Sequence, residues 1–300
     1  MKFNFQGFAY LAFAALIGFT SCKKDEEVPA PTLTFNLDGA QSGSFNAGET
    51  VNFDMNLTSD NDYTSLKGTL VYTKNDNSSV TVTLKDANNA NKDMNYTKNS
   101  DIEDAYDGTN VVKVALPADA KRGSEWTITV EASTSGGKTT AVFKGRSVLS
   151  WTTILLGARS NNAGSFFAPS TGAVIGASNA VANVGIIDIT YAWDETVNPQ
   201  APVLASYFAR TALGFLNVPA NAKKTQFVAT NLTATEFLSE STSWNSYFSG
   251  LSFGSDEKVA ISATKVYAFK NAEGKKGLIH VDEVINGTEG STTIRVKYEN

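Results

Sequence analysis

The sequence predicts a mainly β protein with two domains, a β-sandwich followed by an α+β domain that ends in an antiparallel meander. Three observations lead to this class. Short runs of alternating apolar and polar residues recur along the chain, as half-buried strands require. Thr, Ser, Asn and Gly are abundant, and these residues favour strands and turns over long helices. Short helical signals occur only in the second half, where they mix with strands.

The N-terminal segment has the residue order of an export signal. Lys2 precedes an unbroken apolar stretch of 13 residues, 7–19, and the small residues Thr20 and Ser21 then precede Cys22. A helix needs roughly 20 apolar residues to span a bilayer, so this stretch is too short to do so and fits a cleaved signal.

Residues 1–21 followed by a cysteine resemble the bacterial lipoprotein signal, in which the cysteine sulfur is acylated and becomes the new N-terminus. Phe19 stands where the strict form of this signal prefers Leu. The charged residues 23–27 (KKDEE) resemble those of Bacteroidota lipoproteins that are exported to the outer face of the outer membrane. The resemblance implies that Cys22 carries acyl chains such as palmitate, and that residues 22–32 are a tether. Several chains, at about 0.8 kcal/mol per buried methylene, would hold the protein in the membrane.

The composition excludes several other classes of protein. Cys22 is the only cysteine, so no disulfide can form within the chain, and stability has to come from the 42% of residues that are apolar. The 25 basic and 30 acidic side chains give a net charge of −5, which does not support nucleic-acid binding, since that needs a basic patch. An unmodified thiol in a cleaved segment is the alternative interpretation of Cys22.

Residues 33–148 contain seven alternating runs that predict strands. They are 33–37, 50–57, 66–73, 79–85, 111–116, 126–132 and 138–145. In the sixth run, Trp126, Ile128 and Val130 share one face, which is the pattern of a half-buried antiparallel strand. Residues 135–137 (SGG) supply a tight hairpin between the last two runs. Seven short strands favour an immunoglobulin-like sandwich with Trp126 in its core.

Residues 149–300 mix strands with short helical segments, which predicts an α+β domain. The run 185–193 is predicted to be a strong strand. Thr233 followed three residues later by Glu236 is the capping-box signature of a helix start. Three runs at the end of the chain predict a meander whose turns contain Gly. They are 258–270, 276–285 and 291–298.

Segments of both domains resemble surface lipoproteins of the Bacteroidota. GETVNFDMNL and EWTITVEASTSGGKTTAVF resemble their immunoglobulin-like modules. GARSNNAGSFFAPSTGAVIGASNA and VYAFKNAEGKKGLIHVDEVINGTEGSTTIRVKY resemble the first loop and the C-terminal end of a recurrent set of these lipoproteins. The resemblance implies a cell-surface location on the outer membrane and an accessory role like that of SusE/SusF-type proteins. The partner would be an extracellular glycan or an outer-membrane transporter.

Two motifs are candidates for catalysis. His280, the only histidine, and Asp282 could form an acid–base dyad, although an exposed ring on a mixed strand face is the more common arrangement. Residues 250–254 (GLSFG) match G-x-S-x-G, but a strand rather than a helix is predicted after them, so the nucleophile elbow is not expected. The chain has no HExxH or P-loop motif. The sequence therefore predicts no enzymatic activity and no cofactor.

The acidic segment 101–107 (DIEDAYD) is the candidate for a metal site. Calcium takes six to eight oxygen ligands, which acidic side chains can supply. The spacing of an EF-hand loop fails because Ala105 stands at the fifth position. We therefore expect a solvated loop between strands and no metal, with a calcium site as the alternative.

Aromatic rings in loops are the remaining candidates for a binding site, because sugars stack on such rings while Asn lines the rim. Trp244 and Tyr247, beside Asn245, fit such a platform best, and Phe166 and Phe167 come second. The sequence thus predicts a non-catalytic lipoprotein that binds an extracellular ligand such as a polysaccharide. In the alternative, the rings cap the hydrophobic core, and the protein is a structural or adhesive one that engages another protein.

Overall fold

The computed structural model of this protein describes residues 28–159, 161–215, 217–239 and 242–299. The predicted signal peptide, Cys22 and the first part of the tether lie outside these residues. Strands account for 47% of the chain and helices for 10%, which confirms the mainly β class. Within the described ranges, no helix has both the length and the apolar character that crossing a membrane requires.

Nine strands form an N-terminal pair of sheets. They are β1 (Thr32–Asn36), β2 (Ser42–Phe45), β3 (Thr50–Thr58), β4 (Tyr63–Thr73), β5 (Ser79–Thr83), β6 (Asn95–Tyr96), β7 (Gly108–Ala115), β8 (Glu125–Thr134) and β9 (Gly137–Ser147). One sheet has the order β1-β3-β7, and the other has the order β2-β9-β8-β4-β5, with β6 beside β4. β2 runs parallel to β9, and the other pairs are antiparallel.

The core of this pair of sheets is rich in aromatic rings. Phe35 stacks on Phe53 at a centroid distance of 4.9 Å, and Phe53 meets Phe143 edge to face at 4.8 Å. Trp126 is 3% exposed and lies 5.9 Å from Phe143, which confirms the prediction that it belongs to the core. All seven runs predicted as strands form strands, because their apolar residues alternate toward this core. The immunoglobulin-like assignment stays a prediction.

The prediction of a loop at 101–107 is wrong, because Asn99–Tyr106 forms a helix, α1. Ile102 and Tyr106 lie four residues apart and are both fully buried, so they give the helix one apolar face. The Tyr106 hydroxyl also accepts a hydrogen bond from the backbone N–H of Ala87 at 3.0 Å. In the part of the chain that the structure describes, no group of three or more His, Cys, Asp or Glu side chains is arranged to hold a metal ion.

Ten strands form a C-terminal pair of sheets. They are β10 (Leu149–Gly157), β11 (Phe166–Ala168), β12 (Ala173–Ile175), β13 (Ile189–Asp194), β14 (Ala201–Ala205), β15 (Gln226–Ala229), β16 (Lys258–Ala260), β17 (Val266–Lys270), β18 (Lys276–Ile285) and β19 (Ser291–Tyr298). The sheets have the orders β10-β19-β18-β17-β15 and β12-β11-β13-β14-β16, and all their pairs are antiparallel. A core that includes Phe167, Tyr191, Phe269 and Ile279 lies between them.

The helical segments of the C-terminal half are short. They are helix α2 (Ala234–Leu238) and the 3₁₀ helices Ala177–Asn179, Phe208–Leu213 and Asn245–Phe248. The predicted capping box is confirmed, since Thr233 and Glu236 exchange both hydrogen bonds at the start of α2. The meander β17-β18-β19 is also confirmed. The single run predicted at 258–270 is split, because β16 pairs with β14 in the other sheet.

Candidate functional site

Trp244 and Tyr247, which were predicted to form an exposed platform, are buried. Their exposed fractions are 0% and 3%. The indole N–H of Trp244 donates to Glu299 Oε1 at 3.0 Å, and its backbone N–H donates to Glu49 Oε2 at 3.1 Å. The Tyr247 hydroxyl donates to the carbonyl oxygen of Glu236 at 2.8 Å. Neither ring has a face left for a sugar, so the expectation of an exposed platform at this loop is wrong.

These two rings belong to a hydrophobic cluster that covers one face of a C-terminal sheet. Trp244 and Tyr247 are three residues apart, which puts them on one side of a 3₁₀ helix, and Phe248 follows directly. They pack there with strand residues such as Val266. Asn245, at the start of the same helix, is exposed. The spacing was the sequence signal for burial.

Phe166 and Phe167 are adjacent in strand β11 and therefore face opposite sides of its sheet. Phe167 is fully buried in the core between the two C-terminal sheets. Phe166 is 5% exposed and packs edge to face on Tyr207 at 4.9 Å. Its ring forms part of the wall of a cavity, so of the predicted aromatic residues Phe166 is the one that reaches a candidate site.

This cavity has a volume of about 360 Å³, which is within the range of small-molecule sites. Its walls include Arg159, Phe166, Tyr207, Arg210 and Phe215, and we call it the Arg210 cavity. Of the residues that the structure places in its walls, none is acidic. Two guanidinium groups and three aromatic rings therefore dominate its chemistry.

Arg210 is 2% exposed, although arginine is almost never fully buried without a partner of opposite charge. Its Cζ lies 3.6 Å from the centroid of the Phe215 ring and 4.7 Å from that of Phe166. Nη1 donates to the carbonyl oxygen of Tyr191 at 3.1 Å, whereas the buried Nε has no hydrogen-bond partner. Among the described residues, no carboxylate lies within ion-pair distance of this guanidinium group.

The local fold explains how Phe215 comes to cover Arg210. The 3₁₀ helix Phe208–Leu213 ends at Gly214, whose φ of 79° lies in the left-handed region that glycine adopts without strain. The turn lets the backbone N–H of Phe215 donate to the carbonyl oxygen of Arg210 at 3.1 Å. The chain thus folds back on itself, and the aromatic ring lies over the guanidinium group.

Burial changes the acidity of this group. Loss of hydration lowers the pKa of Arg210 to about 10, and the positive charge of Arg159 lowers it as well. The side chain therefore remains protonated at neutral pH. Removing its charge from water has a desolvation cost, which in proteins is several kcal/mol for a buried ion. The rings of Phe166 and Phe215 offset part of this desolvation cost, since a desolvated cation–π contact contributes about 2 kcal/mol.

A second surface feature lies beside the same 3₁₀ helix. A depression of about 480 Å³ is lined by Phe208, Ser255 and Glu257, and a neighbouring depression of about 430 Å³ shares the last two residues. We call the two together the Phe208 groove. Phe208 is 38% exposed, and Lys224 Nζ lies 4.3 Å above its ring. The Lys224 side chain is itself 59% exposed, and its Nζ lies 3.8 Å from Glu257 Oε1 in the same groove.

Sequence reasoning missed Phe208, Arg159 and Arg210. The signal that was available is the segment 206–215 (SYFARTALGF), in which one arginine stands among aromatic and small residues. Nothing in that segment indicates that Tyr207 and Arg210 line a cavity while Phe208 faces solvent. That division depends on the 3₁₀ conformation and on contacts with distant strands.

His280 is buried, and the expectation of an exposed ring is wrong. It is 6% exposed and stacks on Phe237 at a centroid distance of 5.6 Å. Its Nδ1 lies 3.0 Å from Asp282 Oδ1, and Arg295 Nε donates to the other oxygen of Asp282 at 2.9 Å. Packing and an arginine hold His280 and Asp282 in place, as expected for residues with a structural role.

The G-x-S-x-G segment 250–254 does not form a nucleophile elbow. Ser252 is exposed, and the segment lies between the 3₁₀ helix Asn245–Phe248 and strand β16. An elbow would need a strand before the serine and a helix after it. The segment therefore gives no support for hydrolase chemistry.

No protein-family model matches this chain, and no match to it is found among the curated proteins. The chemistry of the Phe208 groove and of the Arg210 cavity is therefore the basis on which a function can be assigned. The first offers an exposed ring with polar neighbours, and the second offers buried positive charge.

Proposed function

We propose that this protein is a non-catalytic lipoprotein of the outer-membrane surface that binds an extracellular polysaccharide in the Phe208 groove. The observation that carries the proposal is the exposed ring of Phe208 in a mainly apolar depression that adjoins a second depression with polar side chains. Sugars present apolar C–H faces that stack on aromatic rings, while their hydroxyl groups pair with polar side chains at the rim. The signal that precedes Cys22 supports the location.

The composition of the groove suits a sugar chain. Its polar side chains are an amide, ammonium groups and a carboxylate, and each of these can pair with hydroxyl groups. They are Lys224, Gln226, Glu257 and Lys270, whereas the amide of Asn271 is buried and already bonded within the protein. Two adjoining depressions offer more length than one sugar ring needs, so the groove fits a polymer better than a compact metabolite.

Phe208 is held on a rigid support. The Ser206 hydroxyl donates to Glu257 Oε2 at 2.8 Å and accepts from the backbone N–H of Ala209 at 2.9 Å. The backbone N–H of Ser206 donates to the carbonyl oxygen of Glu257 at 2.8 Å. These bonds tie the start of the 3₁₀ helix to the segment before strand β16. Binding residues carried by such fixed connections lose little entropy when a ligand arrives.

The second candidate is a structural or adhesive surface protein that engages another protein. The observation that favours it is Val111, which is 51% exposed on β7, the edge strand of the three-stranded sheet. An exposed edge strand can pair with a strand of a partner. Its neighbours Thr109 and Lys113 on the same face are polar, so the apolar patch is small, and we place the glycan proposal first.

The lipid anchor is tested separately from binding. Cells that express the full chain are fed labelled palmitate, and the protein is recovered from their envelopes. The wild type is expected to carry label and Cys22→Ala is expected to carry none. Proteolysis of intact cells should remove the wild-type protein if it is on the outer face. Label that persists in Cys22→Ala would contradict the anchor assignment.

Binding is tested with the detergent-solubilised lipoprotein on an array of neutral polysaccharides. Phe208→Ala should weaken binding about tenfold, because an aromatic stacking contact contributes roughly 0.5–1.5 kcal/mol beyond its buried area. Leu238→Ala is the control, since Leu238 is an exposed apolar residue on α2, outside the groove. Binding that survives Phe208→Ala, or no binding across the array, would remove the proposal.

A further inference from the structure

We propose that the Arg210 cavity is a separate site that binds a carboxylate group, which pairs with the guanidinium groups of Arg210 and Arg159. This site does not depend on the Phe208 groove. Its ligand is either an acidic sugar within a polysaccharide or a small free carboxylic acid, since both present the same group.

The first argument is the charge of Arg210, which has no counter-ion. Burying an ion without a partner costs several kcal/mol, and proteins normally avoid it by pairing the charge. Here two aromatic rings and one carbonyl oxygen surround the guanidinium group, while its buried Nε lacks a partner. An anion in the cavity would supply the missing charge.

The second argument is that the guanidinium group is already positioned. The rings of Phe215 and Phe166 lie within cation–π distance of it, and the bond from Nη1 to Tyr191 fixes its rotation. A planar guanidinium group held in this way matches the geometry of a carboxylate and loses little entropy when it binds one.

The third argument is the second arginine. Arg159 follows strand β10, is exposed, and its Cζ lies 5.8 Å from the centroid of the same Phe215 ring. The two guanidinium groups therefore approach one ring, and an anion that contacts both would lower the repulsion between their like charges. The positive charge of Arg159 also lowers the pKa of Arg210, as expected for two like charges near one ring.

The size of the cavity limits the ligand. A volume of about 360 Å³ lies near the lower end of the roughly 300–1,000 Å³ of small-molecule sites, so the ligand has to be small. A single hexuronic acid is of this size. Ser165, Tyr207 and Asn217 add hydroxyl and amide groups to the walls, which can pair with the hydroxyl groups of such a sugar.

The test measures binding of sodium glucuronate to the detergent-solubilised lipoprotein by calorimetry, with glucose as the neutral control. Glucuronate should bind and glucose should not. Arg159→Gln should weaken glucuronate binding at least tenfold, because it removes one of two charges. Arg122→Gln removes the same charge from an exposed position of the N-terminal pair of sheets and should leave binding unchanged.

Further measurements distinguish a carboxylate within a polysaccharide from a small free acid, and they give the proposal a second way to fail. Tighter binding of a polyuronate than of free glucuronate would assign the site to a sugar within a chain. Binding of free glucuronate with an affinity equal to or above that of the polymer would assign it to a small acid. Arg210→Lys, checked for folding by thermal denaturation, should also lose binding.

This proposal and the glycan proposal can fail independently of each other. Phe208→Ala should leave glucuronate binding unchanged, since Phe208 is not in the walls of the Arg210 cavity. The proposal is overturned if no carboxylate binds, if glucose binds as well as glucuronate, or if Arg159→Gln binds glucuronate like the wild type. A purely structural role for Arg210 would give the first result.

Discussion

Glu49 Oε2, in the N-terminal half, accepts a hydrogen bond from the backbone N–H of Trp244, in the C-terminal half, at 3.1 Å. The same oxygen accepts from the backbone N–H of Asn46 at 2.9 Å. Asn46 Nδ2 in turn donates to the carbonyl oxygen of Thr242 at 2.8 Å. Glu49 is 1% exposed, so this contact is a buried polar connection between the two pairs of sheets. It also fixes the segment that leads into the 3₁₀ helix Asn245–Phe248.

We predict that the charge of Glu49 makes stability fall as pH rises. Burial raises the pKa of Glu49 above its ordinary value of 4.5, and its bonds from Asn46 and Trp244 offset this effect only in part. The folded state therefore holds a proton that the unfolded state has lost between pH 4.5 and the raised pKa. Glu49→Gln keeps an oxygen acceptor without the charge. Its stability relative to the wild type should increase with pH across this interval, as measured by urea unfolding.

Glu49→Ala separates the charge from the hydrogen bonds. It leaves the buried N–H of Trp244 without an acceptor, which costs about 1–3 kcal/mol. Glu49→Ala should therefore be less stable than Glu49→Gln at every pH. Parallel pH profiles of wild type and Glu49→Gln would contradict the raised pKa.

Asp194 should show the opposite pH dependence. It is 1% exposed, and burial alone would raise its pKa, but hydrogen bonds from Lys258 at 2.7 Å and from Thr196 lower it below the ordinary value of 3.8. Its contribution to stability is present above pH 3.8 and is lost as pH falls through the lowered pKa. Asp194→Asn should cost about 1–2 kcal/mol at pH 7, a value reduced from that of a fully buried pair because Lys258 is 38% exposed.

Urea unfolding of Asp194→Asn at pH 7 and in acid checks this expectation. The difference from the wild type should shrink as pH falls below 3.8. Thr196→Val is the control, because it removes one hydrogen bond to Asp194 and leaves the ion pair with Lys258 in place. A stability difference between Asp194→Asn and the wild type that stays constant down to the lowest pH would show that the loss comes from the shape of the side chain and not from its charge.

The strands were predictable where one face is buried and the other is solvated. In β3 and β8 every second residue turns toward the core, and the sequence shows this period directly. Helix α1 was missed because only Ile102 and Tyr106 are buried on it, which is too few for a helical period. The run 258–270 was split by tertiary pairing, and Thr264, with a φ of 67°, lies in the turn between its two strands.

The candidate sites were less predictable because distant parts of the chain create them. The carbonyl oxygen that holds Arg210 belongs to Tyr191, and Phe166 comes from another strand. Sequence alone shows which residues are aromatic but not which of them are buried in the core. Trp244 is an example, since its ring is covered by packing and its indole N–H is bonded to Glu299.

The capping box of α2 was predicted from sequence, and its contribution can be measured. Thr233 Oγ1 accepts from the backbone N–H of Glu236 at 3.2 Å, and Glu236 Oε2 accepts from the backbone N–H of Thr233 at 2.7 Å. Thr233→Ala should lower the free energy of unfolding by about 1 kcal/mol. Thr235→Ala, on the same helix, should be neutral or slightly stabilising because alanine favours helices. Equal effects of the two substitutions would contradict the assignment.

Gly277, in strand β18, has no space around it for a side chain. A Cβ there would lie 2.2 Å from Phe269 Cε1 and 2.8 Å from the carbonyl oxygen of Lys297. Phe269 is fully buried and stacks on Tyr298 at 5.8 Å, so its ring has no space to move into. Gly277→Ala should therefore cost about 1–3 kcal/mol through overpacking, measured by thermal or urea unfolding.

The matched control for this substitution is Gly254→Ala, because a Cβ at Gly254 meets nothing within 4 Å and its backbone is not left-handed. An alanine at such a position restricts the unfolded chain, so the variant should be as stable as the wild type or more stable by about 0.4–1 kcal/mol. Gly277→Ala and Gly254→Ala make the same chemical change and differ in the space around it. If both leave stability unchanged, the contact between strand β18 and Phe269 is loose enough to accept a methyl group, which contradicts overpacking at Gly277.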